Sequence, residues 1–142
     1  MKKNEVKVLS EKEHVLRRAG MYIGSTEKEE EERWVYSGEN RYKKEKVSVV
    51  PGFLKLVDEV VSNSIDEYYR MGKPSGYRIG IDIEGGNIRV IDSGRGMPLE
   101  MSPDIEGKTM AEVAATSLRS GTNFEEDNIS IGTNGLGLSL VN

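Results

Sequence analysis

Between Phe53 and Arg70 apolar or small side chains recur at positions 53, 56, 57, 60, 61, 64 and 65. That spacing predicts one amphipathic helix, with Pro51 at its first turn and Met71-Gly72-Lys73-Pro74 closing it. The period then changes. Tyr77, Ile79, Ile81 and Ile83 occupy alternate positions, Glu84-Gly85-Gly86-Asn87 follows, and Ile88–Asp92 is a second strand-like run. Two such runs about a Gly-Gly pair predict an antiparallel hairpin. Nearer the start, Ser10 with Glu13 reads as a capping box for a short helix over Ser10–Arg18, ended by Ala19-Gly20. Met21-Tyr22-Ile23-Gly24-Ser25 is an apolar segment closed by glycine, and Val47–Val50 is mostly β-branched. Residues 27–46 are rich in Glu, Lys and Arg around Trp34, Val35 and Tyr36, and the run Glu29–Glu32 is expected to be a solvated face or loop. Residues 93–134 are glycine-rich around a short helix expected at Met110–Leu118. Gly135–Asn142 has the pattern of a helix opening.

Composition narrows the function classes. A chain of 142 residues suggests one domain, and 20 basic against 24 acidic residues excludes a strongly basic nucleic-acid-coating protein. There is no cysteine and a single histidine, so thiolate and His-cluster metal sites are excluded. That histidine, His14, lies outside any four-helix pattern and is not expected to accept a phosphoryl group. Trp34 is expected to serve local packing or a dimer-arm contact. The N-terminus MKKNEVKVLS lacks the apolar stretch of a signal peptide, and no window approaches the ~20 apolar residues of a membrane span. A soluble, cytoplasmic chain is expected.

Three segments carry potential chemistry. On the long helix, Glu59 and Asn63 are one turn apart, with Asp66 and Glu67 about a turn further. An acid and an amide so spaced can hold a water and a cation, although an ordinary polar helix face looks the same. Asp92-Ser93-Gly94-Arg95-Gly96-Met97-Pro98 puts a carboxylate at a strand end before alternating glycines, which suits close approach to a flat ligand with an amine; a plain glycine turn is the bland alternative. Gly132-Thr133-Asn134-Gly135-Leu136-Gly137-Leu138 exposes backbone N–H groups ahead of a helix, a phosphate-binding arrangement that common glycine loops also display. It is neither a Walker loop nor a Rossmann fingerprint.

Taken in order, E-x-x-x-N-x-x-D-E, D-x-G-R-G-x-P and G-x-N-G-x-G resemble the three signature boxes of the GHKL ATPases. Within them the chain is most similar to the ATPase region of type IIA DNA topoisomerase large subunits. Met21-Tyr22-Ile23-Gly24-Ser25 resembles a segment of gyrase B and phage subunits. Trp34-Val35-Tyr36 with Val50-Pro51-Gly52-Phe53-x-Lys55-x-x-Asp58-Glu59 resembles the phage and eukaryotic branch.

The resemblance implies an α+β fold of the GHKL (Bergerat) type, a two-layer sandwich with helices on one face of a mixed or antiparallel sheet. It implies an N-terminal arm at 1–26, a charged insertion at 27–46 and an ATP-binding core at 47–142 with a lid at about 99–134. The family fold continues beyond the third box, so the fold is expected to be incomplete at its C-terminal side and the chain alone to turn over ATP poorly.

Site roles follow from the same resemblance. Glu59 matches the general base, Asn63 the Mg²⁺ ligand, and Asp66 a further nucleotide-site residue. Asp92 matches the adenine-reading carboxylate, with Gly96 beside the base and Met97 lining the pocket. Arg95 matches an arginine that pairs with a helix acid, here Glu67. Asn134, Gly135, Leu136 and Gly137 match the triphosphate loop, and Ser120, Gly121, Thr122 and Asn123 the lid. Two departures stand out: Asn123 where gyrase has lysine, and Ser62 where an acid is common. The implied partners are ATP with Mg²⁺, the rest of the large subunit, the DNA-cleaving subunit, DNA through the full assembly, and a second copy on ATP binding. No membrane is implied, and the setting is a bacterial or phage-infected host cytoplasm. A non-hydrolysing nucleotide-binding module, or a decoy that binds a topoisomerase partner, is the alternative.

Overall fold

The computed structural model of the chain describes residues 8–117 and 137–142. Contacts divide it into two units, Met1–Lys55 and Leu56–Asn142, the division falling within the long helix.

In the first unit, α1 (Glu11–Arg17) opens with the expected capping box: the Ser10 side chain accepts from the Glu13 N–H, and the Glu13 carboxylate accepts from the Ser10 N–H at 3.0 Å. A short helix α2 (Gly20–Ile23) follows, and His14 Nδ1 meets the Tyr22 hydroxyl at 2.8 Å. The charged segment is not a loop. Glu29–Gly38 and Arg41–Val49 are strands β1 and β2, paired antiparallel from Glu29↔Val49 to Gly38↔Arg41. The expected boundary between insertion and core at 46/47 therefore falls inside β2. Charge pairing is what a scan for apolar alternation overlooks: Lys44 reaches Glu32 at 2.8 Å, and Glu32 lies opposite Lys46. The glutamates remain mostly solvated, as expected, but on a strand.

Helix α3 (Pro51–Arg70) begins two residues before the apolar pattern does. Proline needs no partner at a first turn, and the next N–H, that of Gly52, donates to the Ser25 carbonyl at 2.7 Å. The other end is a Schellman cap. Lys73 N–H donates to Tyr68 O, Gly72 N–H to Tyr69 O, both at 3.0 Å, and Gly72 takes φ 75°.

In the second unit, β3 (Ile79–Glu84) and β4 (Asn87–Asp92) form the expected hairpin, with Gly85 and Gly86 both at positive φ as a two-residue primed turn requires. Cross-strand partners share a face, so Ile79, Ile81, Ile83, Ile88, Val90 and Asp92 lie on one side. The apolar stripe thus ends in a carboxylate. Helix α4 (Met110–Thr116) has a capping box from Thr109 and Glu112, and α5 spans Gly137–Val141. Leu118 and Gly135–Leu136, expected in these two helices, lie outside the described residues. Among the described residues the two sheets are each two-stranded and antiparallel, with no parallel pairing, and no apolar side chain is fully buried. The architecture is α+β.

Candidate functional site

Helix α3 and the segment after β4 meet through side-chain bonds. Asp92 ends β4 opposite Ile79. Its Oδ2 accepts from the Ser64 hydroxyl at 2.7 Å, and its Oδ1 accepts from the Gly94 N–H at 2.8 Å. Gly94 has no room for a side chain: a Cβ there would lie 2.6 Å from Glu67 Cγ and 2.8 Å from Asp92 Oδ1. Tyr77 closes the other side, its hydroxyl donating to the Ser64 carbonyl at 2.7 Å. Burial, then the nearby charges of Asp92 and Glu67, raise the Tyr77 phenol above its ordinary value, so it stays a donor.

One residue beyond, Arg95 reaches Glu67. The Arg95 backbone N–H and Nε donate to Oε1 at 3.2 and 2.7 Å, and Nη2 donates to Oε2 at 3.1 Å. Arg70 adds an ion pair to Oε2 at 3.5 Å. The Arg95 hydrogen bond is the main reason that the Glu67 carboxyl is held below its ordinary value. Gly96 follows with φ 76°, and Met97 is half exposed.

Further up α3, Asn63 Nδ2 donates to the Glu59 carbonyl at 3.0 Å, so the amide turns its oxygen away from its own helix. Glu59 faces Gly137 at the start of α5, where a Cβ would overlap the carboxylate Oε2. Glycine at 137 is therefore what lets α5 approach the acid. Among the described residues no group of three His, Cys, Asp or Glu side chains could hold a metal ion. A single amide oxygen fits Mg²⁺ arriving with a triphosphate, because that ion keeps its waters and phosphate oxygens and needs few protein ligands.

The structure thus brings Glu59, Asn63, Asp92, Arg95, Gly96 and Gly137 into one unit. Asp66, on the same helix as Glu59 and Asn63, is buried at 1% exposure. Ser120, Gly121, Thr122, Asn123, Asn134, Gly135 and Leu136 lie outside the described residues. Sequence reasoning missed Ser64 and Tyr77 as parts of the site. Ser64 and Tyr77 looked like members of a helical and a strand stripe, whereas the alternating glycines after Asp92 did signal a close approach.

Residues 49–142 match the histidine kinase-, DNA gyrase B- and HSP90-like ATPases, well over half of the chain. The chain belongs to this ATPase family. It is 40% identical, over its whole length, to the DNA topoisomerase large subunit of Enterobacteria phage T4, of which it covers 27%. It is 35% identical to DNA topoisomerase 2 of Saccharomyces cerevisiae, over 94% of the chain and 10% of that protein. The solved ATPase region of Saccharomyces cerevisiae topoisomerase II superposes with a TM-score of 0.85 at 30% identity, over 96% of this chain and 36% of that one. The ATPase and transducer domains of Balamuthia mandrillaris topoisomerase II give 0.84 at 27% identity, over 96% of this chain and 35% of that one. The chain spans about a quarter of the phage relative and about a tenth of the yeast one. The Bergerat-type α+β fold expected from the signature boxes is therefore the fold of this family member, and no described helix is long and apolar enough to cross a membrane.

Proposed function

We propose that this ATPase-family chain is the nucleotide-binding part of a type IIA topoisomerase large subunit, and that it binds and hydrolyses Mg²⁺–ATP. One observation carries the reading: a carboxylate, Asp92, is held by two donors at the end of a strand beside an arginine-locked helix that also bears Glu59 and Asn63. An ionised carboxylate accepts only, which suits the exocyclic amine of adenine. Glu59 is the base. It takes a proton from water as the water oxygen attacks the γ-phosphorus, and the bond to the bridging oxygen breaks to release ADP. Asn63 is the residue that would hold Mg²⁺, through its amide oxygen, and the ion would supply positive charge to offset that of the phosphates. Gly137, at the start of α5, supplies a backbone donor to the triphosphate. Asn134, Gly135, Leu136 and Ser120, Gly121, Thr122 and Asn123, outside the described residues, are assigned to the same nucleotide by the motif resemblance alone.

At the level of the whole protein, the proposal is that ATP binding pairs two such chains and gates the passage of one DNA duplex through another. The partners are the remainder of the large subunit and the DNA-cleaving subunit, in the cytoplasm of a bacterium or phage-infected cell. The rival reading, a non-hydrolysing module or decoy, finds no support in the family match or in the retained Glu59.

The test is ATP affinity of Asp92→Asn. The amide sets a second donor against the adenine amine, and the loss of a charge-assisted bond costs on the order of 2–4 kcal/mol, or about 30- to 1,000-fold in Kd. Calorimetry showing unchanged affinity would remove Asp92 from the base site.

A further inference from the structure

We propose that Ser64 is a positioning residue that sets the base specificity of Asp92. The proposal rests on the assignment of Asp92 to the adenine amine. Ser64 is 5% exposed, one of only two polar side chains buried among the described residues, and its hydroxyl points at Asp92 Oδ2 from 2.7 Å. The Gly94 N–H holds Oδ1 from the other side at 2.8 Å.

Two donors, one on each oxygen, fix the plane of the carboxylate, since a rotation that keeps one bond breaks the other. Ser64 is itself fixed twice, by its place in α3 and by the Tyr77 hydroxyl on its carbonyl at 2.7 Å. A carboxylate pinned in this way points its remaining lone pairs in set directions. They meet the amine of adenine as acceptor to donor, but the carbonyl that guanine carries at the same ring position as acceptor to acceptor. Without the Ser64 hydroxyl, Oδ2 loses its donor, and the carboxylate can swing about its remaining bonds to Gly94 and Tyr77 and turn away from a guanine carbonyl. Ser64 therefore acts through Asp92, and its loss relaxes the choice between the two bases as well as weakening ATP.

The experiment compares Kd for ATP and GTP in parent, Ser64→Ala, Ser64→Thr and Asp92→Asn forms of the nucleotide-competent assembly containing this chain, with a thermal melt of each. Alanine is the better helix former, so Ser64→Ala is expected to fold. It should bind ATP about tenfold more weakly and GTP less affected, so that the ATP-to-GTP preference narrows by about tenfold. Ser64→Thr, which keeps the hydroxyl, should hold the parental preference. Equal weakening of both nucleotides by Ser64→Ala, or an unchanged ratio, overturns the proposal in favour of a purely structural serine. If instead Asp92→Asn leaves ATP affinity intact, the base assignment itself has failed, and the role of Ser64 falls with it.

Discussion

Arg95 closes three hydrogen bonds on the Glu67 carboxylate, two from its guanidinium and one from its backbone, across twenty-eight residues of sequence. The fork ties the glycine segment after β4 to α3, and so fixes the line of chain that carries Asp92. The Glu67 carboxyl is held below its ordinary value of 4.5, first by the Arg95 hydrogen bond. A carboxyl with a depressed folded value stabilises the fold fully above its unfolded value, and that contribution fades as pH falls through the folded one. Melting temperature should therefore drop on acidification below about pH 4.5, and Glu67→Gln should flatten that limb while lowering stability at neutral pH. Melts across this range check it; parallel curves for parent and variant would show that the pair contributes nothing.

How much of this could be read beforehand depends on the element. The α3 stripe and the β3–β4 alternation are apolar periodicities, and the Gly85-Gly86 turn is a backbone requirement, so the sequence displays them directly. The β1–β2 hairpin is held by cross-strand charge, Lys44 to Glu32 among others, and has no apolar period to detect. At the site, Glu59, Asn63 and Asp92 announce themselves by spacing and order. Ser64 does not, because a small residue on a helix's inner face looks identical whether it fills space or donates to a carboxylate 28 residues away.

Gly52 shows the same blind spot for stability. Helix propensity alone favours alanine by about 1 kcal/mol. A Cβ at 52, however, would sit 2.9 Å from the Ser25 carbonyl oxygen and 3.1 Å from Ile23 Cδ1. The carbonyl is backbone and already bonded to the Gly52 N–H, so it has little freedom to retreat. Overpacking of this kind costs about 1–3 kcal/mol, which exceeds the gain. Gly52→Ala should be destabilising by roughly 1 kcal/mol in a denaturant titration, and a gain in stability would show that the 23–25 segment yields.

Glu59→Gln separates binding from chemistry. The substitution keeps the shape and removes the proton acceptor, so ATP should still bind while hydrolysis falls by ~10²-fold or more. Single-turnover phosphate release alongside a binding isotherm reads both. Affinity and turnover lost together would make Glu59 a structural residue.

Gly137→Ala tests the same base without replacing it. The added Cβ would overlap Glu59 Oε2 and lie 3.1 Å from its Cδ. The obstacle is the far end of a flexible side chain, so the carboxylate moves rather than the helix, and stability should change little. Chemistry should change more, because a displacement of about 1 Å in a reacting group can cost ~10²-fold. Hydrolysis is expected to fall by about tenfold or more with ATP still bound. The deciding measurement is the double variant. If the alanine acts only by displacing the base, it should add nothing once the base is gone, and Gly137→Ala/Glu59→Gln should turn over no more slowly than Glu59→Gln alone. A further drop in the double variant would mean that Gly137 serves the phosphates through its own backbone, independently of the carboxylate it faces.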